Sequence, residues 1–331
     1  MNKIKIAIIG CGIITSEAHL PALKRLKNRL EVLAVCNRSE GKAMAVAKEL
    51  DLPQSAVWTD WQKMIKEVNG LDAVLIALPI TMNYPVSKAC CEAGLSVICE
   101  KPAGKNVEEA EDTGFFTSKY NVTYLTAENY QYEPKFNKAA ELVKKGTIGK
   151  LHSSNWNLLS FMDKNNKFNK TSWRAHNKYE GGYVLDGGVH FVHALQMIAG
   201  PVKSVFAHTA SIEEDLGTMD SALTLLKHEN NVISSLNMGW RSANDDGNLK
   251  LFGEKGTLIV KDDVIIELDE NNEKKEHHFE KEDSFYLQWC DFLNALESGK
   301  PPLMPIGAPT RDVKVIMAVI ESGKTGTEIT I

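Results

Sequence analysis

Asp186 and His190 stand four residues apart in the string Gly181-Gly182-Tyr183-Val184-Leu185-Asp186-Gly187-Gly188-Val189-His190. On a helix beginning here, that spacing puts both on one face, where they can address a single substrate. A carboxylate beside an imidazole is the pairing that proton transfer near neutral pH requires. The competing reading is that Asp186 caps the helix and His190 packs inside it. Another reactive group is the lysine of Glu100-Lys101-Pro102, directly after the apolar run Ser96–Cys99. Parallel-sheet enzymes gather ligands beyond the carboxyl ends of their strands, so Lys101 there points into a cofactor crevice. Alone, the tripeptide is also a common surface turn.

Gly10-Cys11-Gly12-Ile13-Ile14-Thr15 follows a first strand and precedes a first helix. In that context, Gly10 permits a tight turn and Gly12 lets the backbone approach a pyrophosphate, which meets amide N–H groups and the positive helix end. Thr15 occupies the place of the usual third glycine. At the end of the second strand, Asn37-Arg38-Ser39 offers no carboxylate for the two ribose hydroxyls. Asn37 could still bond a ribose oxygen, and Arg38 with Ser39 could grip a 2′-phosphate, which favours NADP over NAD. A solvated Arg38 is the alternative. Cofactor contacts are thus expected from Gly10, Gly12, Ile13, Ile14, Asn37, Arg38, Ser39, Leu78, Pro79, Glu100 and Lys101.

Positioning these groups requires two kinds of architecture. Up to about residue 127, short apolar runs at Ile4–Ile9, Val32–Cys36, Ala73–Ala77, Ser96–Cys99 and Thr123–Thr126 alternate with segments of helical spacing such as Gly41–Leu50 and Tyr84–Ala93. That alternation predicts an α/β unit, a doubly wound parallel sheet with helices on both faces. Gly94 reads as the residue past a helix end and Asn106 as an N-cap. Residues 128–331 read as an α+β domain with a large, mainly antiparallel sheet. Helices are expected from Pro134 to Gly146 and over Asp186–Ala199, then strands from Val202 to Leu268 with turns at Asn230-Asn231 and Asp262-Asp263. A solvated loop is expected over Asn271–Asp283, and closing helices over about Ser284–Glu297 and Pro309–Glu321.

The 331 residues carry 38 basic and 43 acidic side chains, a net charge of −5, which argues against nucleic acid or an anionic membrane as a main partner. The longest apolar runs are far short of a membrane span, and Lys5 splits the N-terminal stretch, which reads as a buried strand rather than a leader. Six cysteines show no C-x-x-C pair and no zinc spacing, so free thiols in a reducing cytoplasm and no metal site are expected.

Gly10–Thr15, His19-Leu20-Pro21-Ala22, Glu100-Lys101-Pro102, Trp173-Arg174, Gly181-Gly182, Asp186-x-Gly188-x-His190 and Gly253-Glu254-Lys255-Gly256-Thr257 together resemble the glucose–fructose oxidoreductase / inositol dehydrogenase (Gfo/Idh/MocA) family. The similarity runs nearly end to end. It implies an N-terminal Rossmann domain, a C-terminal α+β domain whose open sheet makes a homodimer or homotetramer, and NAD(P)-dependent oxidation or reduction of a sugar, polyol or related hydroxy compound. It also implies a catalytic group of Lys101, Asp186 and His190, with Trp173 and Arg174 joining them at the small-molecule substrate. Two departures stand out. His193 replaces an aspartate found in many members, and Ile80 replaces an asparagine that often follows the proline at 79. A dihydrodiol, imine or other non-sugar carbonyl substrate remains open, as does a catalytically silent NAD(P)-binding sensor.

Overall fold

The computed structural model describes residues 3–163, 165–176, 179–213, 219–243 and 247–331. They form two compact units, one made of Met1–Asn129 with Asp283–Thr310, the other of Tyr130–Glu282 with Arg311–Ile331.

The first unit holds a six-stranded, wholly parallel sheet in the order β3-β2-β1-β4-β5-β6. Its strands are β1 (Ile4–Ile9), β2 (Leu30–Cys36), β3 (Val57–Trp58), β4 (Ala73–Ile76), β5 (Ser96–Glu100) and β6 (Tyr124–Ala127). Ile6, Ile8, Val74, Leu75, Val97 and Ile98 are all fully buried, the near-continuous apolar pattern of strands covered on both faces. Strand order reverses between β1 and β4, the place where open α/β sheets bind ligands. The two-residue β3 is too short to leave a periodic signal in the sequence.

A nine-stranded sheet forms the second unit, in the order β14-β13-β12-β11-β7-β10-β9-β8-β15. The strands are β7 (Leu151–Leu159), β8 (Val202–Ala210), β9 (Ser221–His228), β10 (Ile233–Gly239), β11 (Leu249–Gly253), β12 (Gly256–Val260), β13 (Ile265–Asp269), β14 (Lys274–His277) and β15 (Ile329–Thr330). Every neighbouring pair is antiparallel except β7 with β10. Both expected hairpin turns are present, with Asn231 in the left-handed conformation at φ 66°.

Three expectations change. The solvated loop contains β14, whose charged Lys274, Lys275 and Glu276 mark a sheet edge protected against further pairing. Residues 283–310 join the first unit instead of continuing the second. Trp289 donates to His19 Nδ1 (3.0 Å), Arg29 binds Glu297 (2.8 Å), and Arg25 stacks on Tyr286 at 3.5 Å. Finally, the helix expected from Asp186 starts at Gly182, so Asp186 lies in its second turn and does not cap it.

His228 gives this sheet a titratable core. Its Nδ1–H donates to the Gly200 carbonyl (2.6 Å) and Nε2 accepts from the Ser234 hydroxyl (2.8 Å), beside Ser154 at 2.7 Å. Burial holds its pKa below the ordinary 6.5. The unfolded chain then binds a proton that the folded chain refuses, so this stability is whole above about pH 6.5 and declines as pH falls toward the depressed folded value. Thermal midpoints should drop between about pH 7 and pH 5, and less steeply in His228→Gln. Parallel slopes for the two proteins in a scanning fluorimetry series would refute the assignment.

Candidate active site

The phosphate turn sits at the carboxyl end of β1. Gly10 has φ +103°, and a Cβ there would lie 2.1 Å from the Ala77 carbonyl oxygen, so no other residue fits without moving β4. A Cβ on Gly12, by contrast, would meet nothing within 4 Å. Thr15 is fully buried and donates its hydroxyl to the Gly10 carbonyl at 2.7 Å. The residue replacing a third glycine thus ties the turn to the helix. Ile13 and Ile14 are half-buried at the start of that helix, whose first N–H groups have no intrahelical acceptor. A closed glycine corner, an open side at Gly12 and a helix start fit a dinucleotide pyrophosphate.

Asn37 does something other than expected. Its Oδ1 accepts from the Cys11 N–H (3.1 Å) and its Nδ2 donates to the Ser39 carbonyl (3.0 Å), so its amide braces the glycine turn instead of reaching for a ribose. Arg38 and Ser39 are exposed beyond the end of β2. Cys11 and Cys36 beside them are buried thiols, pushed up to about 12 chiefly by desolvation.

Lys101 follows β5 directly, and Lys101–Pro102 is a cis peptide. The Glu100 carboxylate is turned inward, against expectation, and meets His19 Nε2 at 2.9 Å. Because the Trp289 indole can only donate, His19 Nδ1 accepts and Nε2 carries the proton that Glu100 receives. Leu78 and Pro79 are half-buried at the end of β4, where the Leu78 N–H reaches Asn83 Oδ1 (3.2 Å). Asn83 in turn donates to the Glu100 carbonyl (3.1 Å), linking the ends of β4 and β5. Sequence reasoning missed Asn83, because one asparagine in an apolar helix has no motif around it. Ile80 is buried at the first position of the same helix.

In the second unit, helix Gly182–Ala199 carries Asp186 and His190. Gly187 and Gly188 sit where a Cβ would lie 2.7 Å from Trp240 and 2.9 Å from Ile316, so the helix is seated closer to its neighbours than side chains would permit. Asp186 is 6% exposed, and its Oδ2 accepts from Arg174 Nε at 2.7 Å. The Arg174 guanidinium lies 4.0 Å above the Trp173 ring. Tyr179 nearby is raised by burial and by the negative charge of Asp186. His190 is half-buried, its ring stacked on Tyr130 at 4.8 Å and 24°. His193 is buried, bonded through Nδ1 to Asp312 (2.7 Å) and through Nε2 to Gln131 (3.1 Å). Tyr130, Gln131 and Asp312 were also invisible to sequence reasoning, although the unusual His193 was a sign that some carboxylate answers it. Lys164, Asn177 and Lys178, close in sequence to Trp173 and Arg174, lie outside the described residues.

Comparison with known proteins gives the chain its family. Residues 4–127 match the oxidoreductase family, NAD-binding Rossmann fold, and residues 136–259 match the GFO/IDH/MocA C-terminal domain. The chain belongs to the Gfo/Idh/MocA family. It is 24% identical to the myo-inositol 2-dehydrogenase of Thermotoga maritima over 90% of each chain. Identity to the D-xylose 1-dehydrogenase (NADP+) 2 of Haloferax volcanii is 25%, over 97% of this chain and 98% of the relative. A crystal structure of an oxidoreductase from Thermotoga maritima superposes with a TM-score of 0.93 at 31% identity, covering 99% of this chain and 98% of that one. The protein is therefore an NAD(P)-binding oxidoreductase with a Rossmann domain and a mainly antiparallel C-terminal sheet. Among the described residues, no group of His, Cys, Asp and Glu could hold a metal ion. No described helix is long and apolar enough to cross a membrane.

The Arg174–Asp186 pair has a structural consequence. Removing one member of a largely buried ion pair strands the other charge, at a cost of about 3–5 kcal/mol. Asp186→Ala should lower the urea midpoint by an amount of that order, and Arg174→Met in the same chain should restore part of it. An unchanged midpoint in Asp186→Ala would show that the pair carries no folding energy.

Proposed function

We propose that this member of the family moves a hydride between NADP and a secondary alcohol or carbonyl of a sugar, polyol or related hydroxy compound. The observation that carries the reading is the Asp186–His190 pair, one turn apart on a helix seated by Gly187 and Gly188, in a chain that matches the family through both domains. The named activities of the inositol and xylose dehydrogenases point the same way.

Gly10, Gly12, Ile13 and Ile14 would hold the pyrophosphate, and Arg38 with Ser39 a 2′-phosphate, while Leu78 and Pro79 border the turn. A bound nicotinamide supplies the hydride acceptor or donor. The chain's own task is the proton. His190, as a neutral imidazole, takes it from the substrate hydroxyl during oxidation and returns it during reduction. Lys101, by its match to the family's lysine, gives the reacting oxygen a hydrogen bond and favours its alkoxide character. Asp186, held by Arg174, orients substrate and stabilises the charged form of His190; Trp173 stands beside it. We place the enzyme in the cytoplasm, where its six free cysteines stay reduced.

Purified protein screened with NADP and NAD against myo-inositol, D-xylose, other sugars and small carbonyls tests this by nicotinamide absorbance. On the substrate found, Lys101→Met and His190→Asn should each lower turnover about 10²-fold or more with little change in cofactor affinity. Arg38→Ala should weaken NADP by on the order of 1.5–3 kcal/mol and leave NAD nearly unchanged. Near wild-type turnover in both Lys101 and His190 variants would remove the mechanism. Cofactor binding with no turnover on any compound would make the protein a sensor.

Assembly follows from the sheet. Along β9 the side chains alternate, leaving Leu223 and Leu225 more than half exposed, with Ile233 on β10. Beside them run Asn155–Ser235 and Asn237–Asn157 hydrogen bonds of 2.7 and 2.6 Å. We propose that this face pairs two copies into a dimer, or a dimer of dimers. Light scattering should give a dimer or tetramer that Leu225→Glu converts to smaller species; a wild-type monomer at micromolar concentration would contradict it.

A further inference from the structure

An imidazole that must meet a hydroxyl needs its ring plane held, since proton transfer tolerates only small errors in heavy-atom position. On His190 a stacked partner achieves this without occupying a ring nitrogen, because the contact uses the π face and the nitrogen lone pair lies in the ring plane. Tyr130 is that partner, at 4.8 Å. Its own ring also packs on Phe136 (5.1 Å) and Phe191 (6.0 Å). The neighbouring residue, Gln131, is tethered twice. Its carbonyl accepts from Asn137 (2.9 Å), and its side-chain amide meets His193 Nε2 at 3.1 Å.

His193 is locked in turn. Asp312 Oδ2 accepts from Nδ1 at 2.7 Å, and the other Asp312 oxygen takes a bond from Gln196 at 2.8 Å. The Gln196 amide oxygen then receives the Val202 N–H (3.1 Å). His193 and Asp312 are only 1% and 2% exposed. A series of directed bonds therefore runs from helix Ala308–Thr325 to the segment carrying Tyr130. Packing alone would require no polar group here, and a buried polar network is costly unless its members are satisfied. An aspartate at 193 would face Asp312 as a like charge. The imidazole is what lets these two positions bond.

We propose that His193 and Asp312 are positioning residues that set the ring plane of His190, acting through Gln131 and Tyr130. The inference rests on the reading of His190 as the proton-transfer group, but its test does not depend on turnover. In protein labelled with ¹³C-histidine, the Tyr130 ring current should hold the His190 ring protons upfield, the signal being assigned by its loss in His190→Asn. Tyr130→Leu should move that signal downfield, and Gln131→Leu and His193→Asp should move it in the same direction. Adding Asp312→Asn to His193→Asp rebuilds a hydrogen bond between the two positions and should return the signal toward its wild-type place. Gln131 is half-buried, so Gln131→Leu keeps the test open should the core variants fail to fold. A His190 signal unmoved in cooperatively melting Gln131→Leu protein, or unmoved by Tyr130→Leu, would overturn the proposal. Full turnover in His190→Asn would instead remove the proton-transfer reading while leaving this coupling intact.

Discussion

A carboxylate taken out of water must be met by a cation or by donors, and this single requirement organises each of the two units. Glu100, Asp186 and Asp312 are each 6% exposed or less. Their partners are His19, Arg174 and His193, and two of these come from distant parts of the chain, 81 and 119 residues away. An unmet ion would cost several kcal/mol, so each pair obliges particular segments to come together. In the first unit, Glu100 draws the opening helix onto the end of β5, where Lys101 begins. In the second, Asp186 draws in the Trp173-Arg174 turn, and Asp312 ties two long helices to the segment that carries Tyr130.

The parts of this arrangement that were legible in the sequence are those written locally. Ile4–Ile9 followed by Gly10-Cys11-Gly12 announces a strand and a turn because apolar run, glycine corner and helix are consecutive. The four-residue spacing of Asp186 and His190 is legible for the same reason. Glu100 was expected among the cofactor contacts and is instead buried against His19, because nothing in Glu100-Lys101-Pro102 says which of two adjacent charges turns inward. The return of residues 283–310 to the first unit depends on Trp289 finding His19, 270 positions away, and no local pattern encodes that. Lys274–His277 looked solvated because it is charged; its backbone pairs all the same, since an edge strand needs a neighbour on one side only.

At the positions where the sequence departs from the family pattern, the residues present find partners of their own. Thr15 lacks the small size of glycine but supplies a hydroxyl to the Gly10 carbonyl, so the turn gains a bond where it loses space. Ile80 is apolar and buried, and the amide joining the ends of β4 and β5 comes from Asn83, one turn further along the helix. At 193, an imidazole faces the carboxylate of Asp312. Each change is readable as local accommodation once the facing atom is known.

The residues beside the glycine turn divide their duties in a way that bears on cofactor choice. Asn37 has both ends of its amide committed to backbone, one on the turn and one on Ser39. Substituting it would leave the Cys11 N–H without its acceptor and loosen the turn that any dinucleotide needs. Arg38 and Ser39 point outward from the same strand end and are exposed. Surface substitutions away from structural features usually change stability by no more than about 0.5 kcal/mol, whereas a guanidinium–phosphate contact is a charge-assisted bond worth several times that. On the proposed reading of Arg38 and Ser39 as the 2′-phosphate contacts, selectivity between NAD and NADP shifts there without disturbing the fold, while position 37 is held by the turn it supports.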